Sequence, residues 1–183
     1  MNFEPSAEIR AYLDELDRFI EAEIKPLEEV DDNIRFFDHR REYARTDWDA
    51  GGLPSHEWEA LLEVARARAD KAGHYRYGWP RSLGGSEGSQ LDLAIIREHL
   101  AAKGLGLHND LQNEHSIVGN NPFILTFKAF ATPEQYERDA EKLLQGKLLT
   151  GFGLSEPNHG SDATFMETTA VPETRDGQEG WRI

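Results

Sequence analysis

The hydrophobic positions near the start of the chain recur three and four residues apart, the spacing of one face of an α-helix. Ser6 can cap this helix, because its hydroxyl can accept a hydrogen bond from a free N–H of the first turn. Pro26 predicts a stop or a kink near the other end. We interpret this stripe as core packing; it consists of Ile9, Leu13, Leu16, Ile20, Ile24 and Leu27.

Two further helices are predicted from cap residues combined with helical spacing. One is capped by Ser55 and continues to Ala72, where Gly73 ends it. The other runs over residues 89–103, and Ser89 with Asp92 matches a capping box. The predicted inner faces are Trp58, Leu61, Leu62, Ala65 and Ala69 in the first, and Leu91, Ala94, Ile95, Ala101 and Ala102 in the second. Residues 31–54, between the first two predicted helices, are expected to form an ordered connection with room for a short helix.

The last predicted helix has the clearest start signal, since Thr132, Pro133 and Gln135 supply a cap, a proline at the first position and a capping-box partner. Its inward side chains are Tyr136, Ala140, Leu143 and Leu144, and Gly146 ends it. A buried helix is predicted before it, with Pro122 near a turn boundary. That helix is indicated by Ile117, Val118, Phe123, Ile124, Phe127 and Phe130.

The pattern changes to that of a β-structure after Gly146. A strand is predicted over residues 149–154, where alternating glycines suggest close access to the backbone, and Pro157 ends it. The polar turn over residues 158–162 is rich in donors that suit phosphate or another anion. Beyond it we expect a strand at 168–171, a polar loop at 172–180 and the start of a returning strand at 181–183.

Composition excludes several classes of function. The chain has 183 residues and a net charge of −14, so a basic nucleic-acid-binding surface is not expected. It has no cysteine, which excludes disulfides, thiolate catalysis and cysteine-based zinc sites. We find neither a signal-peptide pattern nor an apolar run of spanning length, so a cytoplasmic protein without a membrane segment is expected.

A polar segment with two histidines, residues 108–115, is a weak candidate for a metal site. A His-x-x-Glu-His zinc motif would need histidine at position 111, which is Leu111. On a helix His108 and His115 would lie two turns apart. The wall of a pocket or an ordinary surface is the favoured interpretation, and no metal is predicted.

The turn and the strand before it resemble a segment of the acyl-CoA dehydrogenases, aromatic-x-aliphatic-[Thr/Ser]-Glu-Pro-x-x-Gly-Ser-Asp. Eight positions agree across eleven residues: Phe152, Leu154, Ser155, Glu156, Pro157, Gly160, Ser161 and Asp162. Asn158 and His159 depart from the small Gly-Ala pair that many members carry. A glycine-rich loop of the family is also matched, by Pro80, Leu83, Gly84, Gly85 and Gly88.

The resemblance implies a mainly α fold, namely an acyl-CoA dehydrogenase-like N-terminal helical bundle followed by an incomplete β-domain. The expected division is residues 1–147 for the helical domain and 148–183 for the first strands of the middle β-barrel domain. This corresponds to roughly the first half of a family member. The second helical domain, which carries the glutamate base, would lie in a missing C-terminal half or in a partner subunit.

The implied activity is α,β-dehydrogenation of an acyl-CoA thioester with FAD, a reaction of fatty acid and lipid metabolism, with electron-transfer flavoprotein as the acceptor. By the resemblance, Phe152 and Leu154 flank the flavin ring, and Ser155 donates to its N5/O4 edge. Gly160 and Ser161 bind the pyrophosphate side, and Ser161 also contacts CoA.

Two asparagines would lie near the closed end of the acyl tunnel, Asn109 and Asn113. A buried amide without a partner does not favour a hydrocarbon, so a short or polar acyl group is indicated. No catalytic residue is expected in this chain, and the chain alone is expected to be inactive. Glu156 and Asp162 are assigned to hydrogen bonds of the loop, and His159 to a structural or solvated position.

Two alternatives remain open from the sequence. One is a non-catalytic helical fragment or subunit that docks onto a partner. The other keeps the fold and changes the chemistry to that of an acyl-CoA oxidase or a flavin monooxygenase. Residues that decide between electron transfer and reaction with oxygen are mostly outside this segment.

Overall fold

The structure is a computed structural model that describes residues 4–112, 120–148, 150–151, 153–162 and 164–183. The chain divides into two compact units, Met1–Thr150 and Gly151–Ile183. The first unit is helical and the second contains a two-stranded antiparallel sheet. This confirms the predicted fold class, while the equation of these units with the family's domains stays a prediction.

The N-terminal stripe forms two helices joined by a wider turn. Helix α1 spans Ala7–Phe19, a π-helical turn spans Ile20–Ile24, and α2 spans Lys25–Glu29. The hydroxyl of Ser6 accepts a hydrogen bond from the N–H of Ile9 at 3.2 Å, as predicted. Pro26 lies in the first turn of α2, where the missing N–H of proline costs little, so the π turn takes up the predicted kink.

Helices α3, His56–Lys71, and α4, Gln90–Ala101, confirm the next two predicted helices and their caps. The inner face of α3 is also confirmed for its buried leucines and alanines. The predicted face of α4 is wrong for Leu91, which is 69% exposed, although Ile95 is partly buried and packs against the core. The fully buried residues are Leu93, Ile96 and Leu100. Helical spacing fits both faces, and tertiary packing selects the one with the larger aliphatic side chains.

Helices α5, Asn120–Phe130, and α6, Pro133–Leu144, pack against each other. The capping box of Thr132 and Gln135 is present as predicted. The prediction that α5 is buried is only partly right. Ile124 is buried, but Phe130 is 84% exposed, so one side of α5 packs in this unit.

The core of the helical unit has two clusters. The larger one joins α1, the π turn, α3 and α4, and the smaller one packs α5 and α6 around Trp79. Connections supply part of this core through 3-10 turns at Asn33–Phe36, Glu42–Arg45, Arg81–Leu83 and Leu107–Asp110. A short antiparallel pair, β1 at Thr46–Asp47 and β2 at Leu53–Pro54, precedes α3.

The second unit differs from its prediction. A hairpin of β3, Val171–Arg175, and β4, Gln178–Arg182, replaces the predicted strand at 168–171 and the polar loop at 172–180. Asp176 and Gly177 both have positive φ, 52° and 78°, as a type I′ turn requires. The strand predicted at 149–154 is also wrong where the structure describes it, at 150, 151, 153 and 154, since those residues have no ladder partner there.

No helix in the described part of the chain is both long and apolar enough to cross a membrane.

Candidate functional site

The Glu156–Pro157 step begins a tight turn in the second unit. The N–H of Glu156 donates to the carbonyl of His159 at 3.0 Å, and the N–H of His159 donates back at 3.2 Å. Pro157 occupies the second position of this four-residue turn, where its fixed φ is favoured. The turn therefore reverses the chain directly after Ser155.

The Glu156 carboxylate joins this turn to a later part of the chain. One oxygen accepts from the N–H of Glu167 at 2.7 Å and the other from the N–H of Thr168 at 2.9 Å. Hydrogen bonds from Thr168 and from the backbone of Glu167 hold the pKa of Glu156 below its usual value, since they favour the ionised carboxylate. The predicted role of Glu156 in loop hydrogen bonds is confirmed.

A second set of contacts lies beside the first. The Glu167 carboxylate oxygen Oε2 is 3.3 Å from Nδ2 of Asn158 and 3.2 Å from Nε2 of His159. The His159 ring meets Phe165 edge to face at 4.8 Å between centroids. His159 thus has structural contacts in this turn.

The motif loop, which we define as residues 157–162 and 164–166, presents its small residues outward. Gly160 and Ser161 are exposed, and in the described part of the chain no heavy atom beyond the two neighbouring residues lies within 4 Å of the position that a Cβ of Gly160 would occupy. Asp162 accepts from the Thr164 hydroxyl at 2.8 Å. Its carbonyl accepts from the N–H of Phe165 at 3.3 Å. A flat or anionic ligand could therefore approach the backbone near Gly160.

The remaining predicted flavin contacts lie on or near this loop. Ser155 is exposed, Leu154 is half-buried, and Phe152 lies outside the described residues. Exposed hydroxyls, an open glycine and a turn fixed by Glu156 are compatible with FAD, because they leave donors free for its ring edge and its pyrophosphate. The assigned roles stay predictions.

The two asparagines assigned to the acyl tunnel have different outcomes. Asn109 is exposed, and its amide donates to the carbonyls of Gly104 at 2.8 Å and Gly106 at 3.4 Å, so it stabilises its own loop. Asn113 lies outside the described residues. Contact of either residue with an acyl chain stays a prediction. His108 is buried with Nε2 3.1 Å from the Gly104 carbonyl, and the described residues contain no group of three potential metal ligands.

The glycine-rich loop of the helical unit is built for tight packing. Trp79 is fully buried, and a Cβ on Gly85 would overlap the carbonyl of Trp79. A Cβ on Gly88 would overlap the ring of Tyr77. Gly84 has a φ of 79°, a conformation that side chains disfavour. These glycines therefore have packing and backbone roles in the loop.

Arg76 anchors the same loop. Its guanidinium pairs with Asp70 of α3 at 2.6 and 2.8 Å and with Glu141 of α6 at 2.9 Å. These hydrogen bonds raise the pKa of Arg76, Asp70 contributing most. No signal in the sequence pointed to this residue, because its partners are 6 and 65 positions away and no local pattern links them.

Two curated proteins with names from acyl-CoA chemistry are similar to part of this chain. No protein-family model matches the chain. Over 101 residues it is 36% identical to the caffeyl-CoA reductase-Etf complex subunit CarC of Acetobacterium woodii, covering 55% of this chain and 25% of the relative. Over 119 residues it is 29% identical to acyl-CoA dehydrogenase FadE26 of Mycobacterium tuberculosis, covering 63% of this chain and 28% of the relative.

A solved structure shares the fold. A protein of Mycobacterium abscessus, assigned as an acyl-CoA dehydrogenase, superposes with a TM-score of 0.61 at 22% identity. The match covers 98% of this chain and 41% of that protein. The chain spans about a quarter of the length of the two curated relatives, with 25% and 28% of their residues matched.

Proposed function

We propose, on the premise that this chain is related to the acyl-CoA dehydrogenases in sequence and fold, that it forms the N-terminal part of a flavin-dependent acyl-CoA dehydrogenase. The observation that carries the proposal is the motif loop together with the two residues before it: Glu156 fixes the turn, and Ser155, Gly160 and Ser161 are exposed. The reaction removes a proton from the α carbon and a hydride from the β carbon of an acyl-CoA thioester.

In this proposal the residues of the loop bind and orient FAD, which supplies the hydride acceptor when bound. Ser155 donates a hydrogen bond to the edge of the flavin ring, where negative charge develops on reduction. The backbone of Gly160 and the hydroxyl of Ser161 bind the pyrophosphate, and Ser161 also contacts CoA. Leu154 and Phe152 pack against the ring.

The base that takes the α proton is assigned to another segment of the enzyme, since no residue of this chain is nominated for it. Asn109 and Asn113 are proposed to limit the acyl group to a short or polar one. In this role the Asn109 amide would have to break its hydrogen bond to the Gly104 carbonyl. The proposed acceptor is an electron-transfer flavoprotein, supported by the Etf complex in the name of CarC. A cytoplasmic location is part of the same proposal.

A second candidate is the opposite net reaction, in which a 2-enoyl-CoA receives a hydride at the β carbon and a proton at the α carbon. It is favoured by one observation, the word reductase in the name of CarC, which is 36% identical over the matched residues. Both candidates use the same loop and the same cofactor. They differ in which flavin state reacts with which thioester.

The test is a joined polypeptide in which this chain replaces the matched part of the M. abscessus relative. We expect it to retain FAD through gel filtration, seen as flavin absorbance, whereas the 183-residue chain alone retains little because it supplies one side of the site. Bleaching by a panel of acyl-CoAs supports dehydrogenation. Reoxidation of the reduced flavin by 2-enoyl-CoAs, without bleaching by acyl-CoAs, supports the second candidate.

Two results would contradict the proposal. A folded joined polypeptide that binds no flavin would favour the alternative of a helical docking module. Stoichiometric FAD on the 183-residue chain alone would overturn the assignment of the other side of the site to further segments. The parent M. abscessus protein, treated identically, is the control.

A further inference from the structure

The two residues at which the motif departs from its usual small pair point at the same atom. Nδ2 of Asn158 donates a hydrogen bond to Oε2 of Glu167 at 3.3 Å, and Nε2 of His159 lies 3.2 Å from the same oxygen without hydrogen-bond geometry, as an ion pair when the ring is protonated. A Gly-Ala pair could make neither contact, since it has no polar side-chain atoms. Asn158 and His159, the two residues that depart from the family pattern, therefore make contacts that the usual Gly-Ala pair cannot make.

Glu167 makes contacts through both its backbone N–H and its side-chain carboxylate. Its backbone N–H donates to Glu156 at 2.7 Å, while its side chain faces Asn158 and His159. The backbone attachment and the side-chain attachment together fix the position of Glu167 and the direction of its side chain. The Phe165 ring meets the His159 ring edge to face, at 4.8 Å between centroids.

These contacts bridge the two ends of the motif loop. Asn158 and His159, near the start of the loop, lie against Glu167, which directly follows its last residue, so Gly160 and Ser161 lie between the connected positions. Gly160 has no Cβ, and among the described residues beyond its two neighbours no heavy atom lies within 4 Å of the position that a Cβ would take, so side-chain packing does not hold Gly160. The contacts of Glu167 with Asn158 and His159 then act together with the hydrogen bonds of Asp162 to Thr164 and Phe165 in holding the tip, which is Gly160 and Ser161.

We propose that Glu167, through Asn158 and His159, is a positioning residue that fixes the tip of the motif loop for a pyrophosphate group. The inference rests on the proposed function, because it takes from it the contact of Gly160 and Ser161 with that group. Removing the Glu167 carboxylate leaves the Glu156 hydrogen bond to the Glu167 N–H in place, and frees the tip. Ligands that reach the tip should then bind more weakly, because ordering the tip adds to the cost of binding.

The first experiment uses the 183-residue chain and needs no ligand. Glu167→Ala should speed amide hydrogen exchange roughly ten-fold or more at His159 and Phe165, whose N–H groups donate hydrogen bonds within the loop, whereas Glu167→Gln, which keeps an oxygen acceptor, should largely restore protection. Glu173→Ala is the matched control, because it removes a carboxylate of the same unit that pairs with Arg182 on the hairpin, at 2.9 Å. Unchanged exchange in Glu167→Ala would overturn the proposal.

The second experiment separates positioning from general stability with two flavins in the joined polypeptide. FAD has the pyrophosphate and riboflavin has no phosphate group, so Glu167→Ala should weaken FAD binding roughly ten-fold and leave riboflavin binding unchanged. Asn158→Ala and Glu167→Gln should have smaller effects with the same selectivity. Equal losses for FAD and riboflavin would overturn the positioning role, since a structural defect acts on both. If the joined polypeptide with Glu167 intact binds neither flavin, the proposed function itself fails.

Discussion

The hydroxyl of Tyr12 lies 3.1 Å from Nδ1 of His74, a residue 62 positions later in the chain. This contact joins α1 to the loop that follows α3. His74 is 3% exposed, and the Phe19 ring packs on it at 4.7 Å between centroids. A titratable ring is thus enclosed at the junction between the first helix and the rest of the helical unit.

Burial lowers the pKa of His74, because it disfavours the charged ring, although Glu15 opposes this shift. Below the pKa of the unfolded chain, about 6.5, the unfolded state binds a proton that the folded state resists. The free energy of unfolding should therefore be highest above that pH and fall as the pH drops from about 6.5 towards the lowered pKa of the folded state. Urea unfolding of the whole chain at about pH 7.5, 6.0 and 5.0 measures this.

The matched variants separate His74 from other histidines. His74→Gln should reduce the loss of stability between about pH 7.5 and 5.0, while His56→Gln, which changes an exposed histidine, should leave it as in the unaltered chain. An identical loss in all three proteins would contradict a role for His74. The total stability of His74→Gln is not the readout, since the substitution also changes packing.

Replacing Arg76 by alanine should reduce the stability of the protein far more than replacing Arg81, which lies in the same loop. Its side chain and that of Asp70 are 14% and 17% exposed, so Arg76→Ala leaves a largely buried carboxylate unpaired and should cost about 2–4 kcal/mol. Arg81→Ala removes a pair with Glu87 whose side chains are 79% and 55% exposed, and should have no measurable effect. Thermal unfolding followed by circular dichroism measures both. Similar effects of the two substitutions would refute the anchoring role.

Gly85 should be the least tolerant of the loop glycines. Gly85→Ala forces a Cβ into the Trp79 carbonyl, and a backbone atom cannot move aside as a flexible side chain can, so we expect a loss of at least about 2 kcal/mol. Gly180→Ala is the control, because Gly180 has no positive φ and nothing lies within 4 Å of the position that its Cβ would take. Near-native stability of Gly85→Ala would mean that the loop can shift away from Trp79.

The start and end signals of helices could be read from the sequence because they are local. The hydroxyls of Ser6, Ser55, Ser89 and Thr132 all accept the predicted type of hydrogen bond from a first-turn N–H. Each cap depends on residues within three positions of itself. Tertiary packing does not have to be known to find them.

Burial was predicted less well, because it depends on distant partners. Leu91 and Leu93 both fit a helical face of α4, and only the packing of the other helices decides that Leu93 is buried. Trp79 and Phe36 are fully buried but lie in connections, where no periodicity marks them. In the second unit a local signal was present, the Asp176–Gly177 pair of a two-residue hairpin, and it should have predicted β3 and β4.

For the candidate site, the sequence identified the motif but not the network that shapes it. The turn at Pro157 follows from the proline itself, whereas the hydrogen bonds from Glu167 and Thr168 to Glu156 join residues 11 and 12 positions apart. The contacts of Asn158 and His159 with Glu167 likewise need the folded loop. Family patterns do not predict these contacts, because Asn158 and His159 are the positions at which this chain departs from the pattern.

The central claim is that the segment ending in the motif loop forms one side of a flavin site, and the rate of flavin reduction in Ser155→Ala tests it most directly. Ser155 is exposed, so its loss should not unfold the protein. In the joined polypeptide, rapid mixing with an acyl-CoA that reduces the unaltered protein should show reduction slowed about 5- to 30-fold, since one hydrogen bond to developing charge contributes about 1–2 kcal/mol. Ser86→Ala, at an exposed serine in the glycine-rich loop, should reduce at the unaltered rate. A Ser155→Ala protein that binds FAD and is reduced as fast as the unaltered one would contradict the claim.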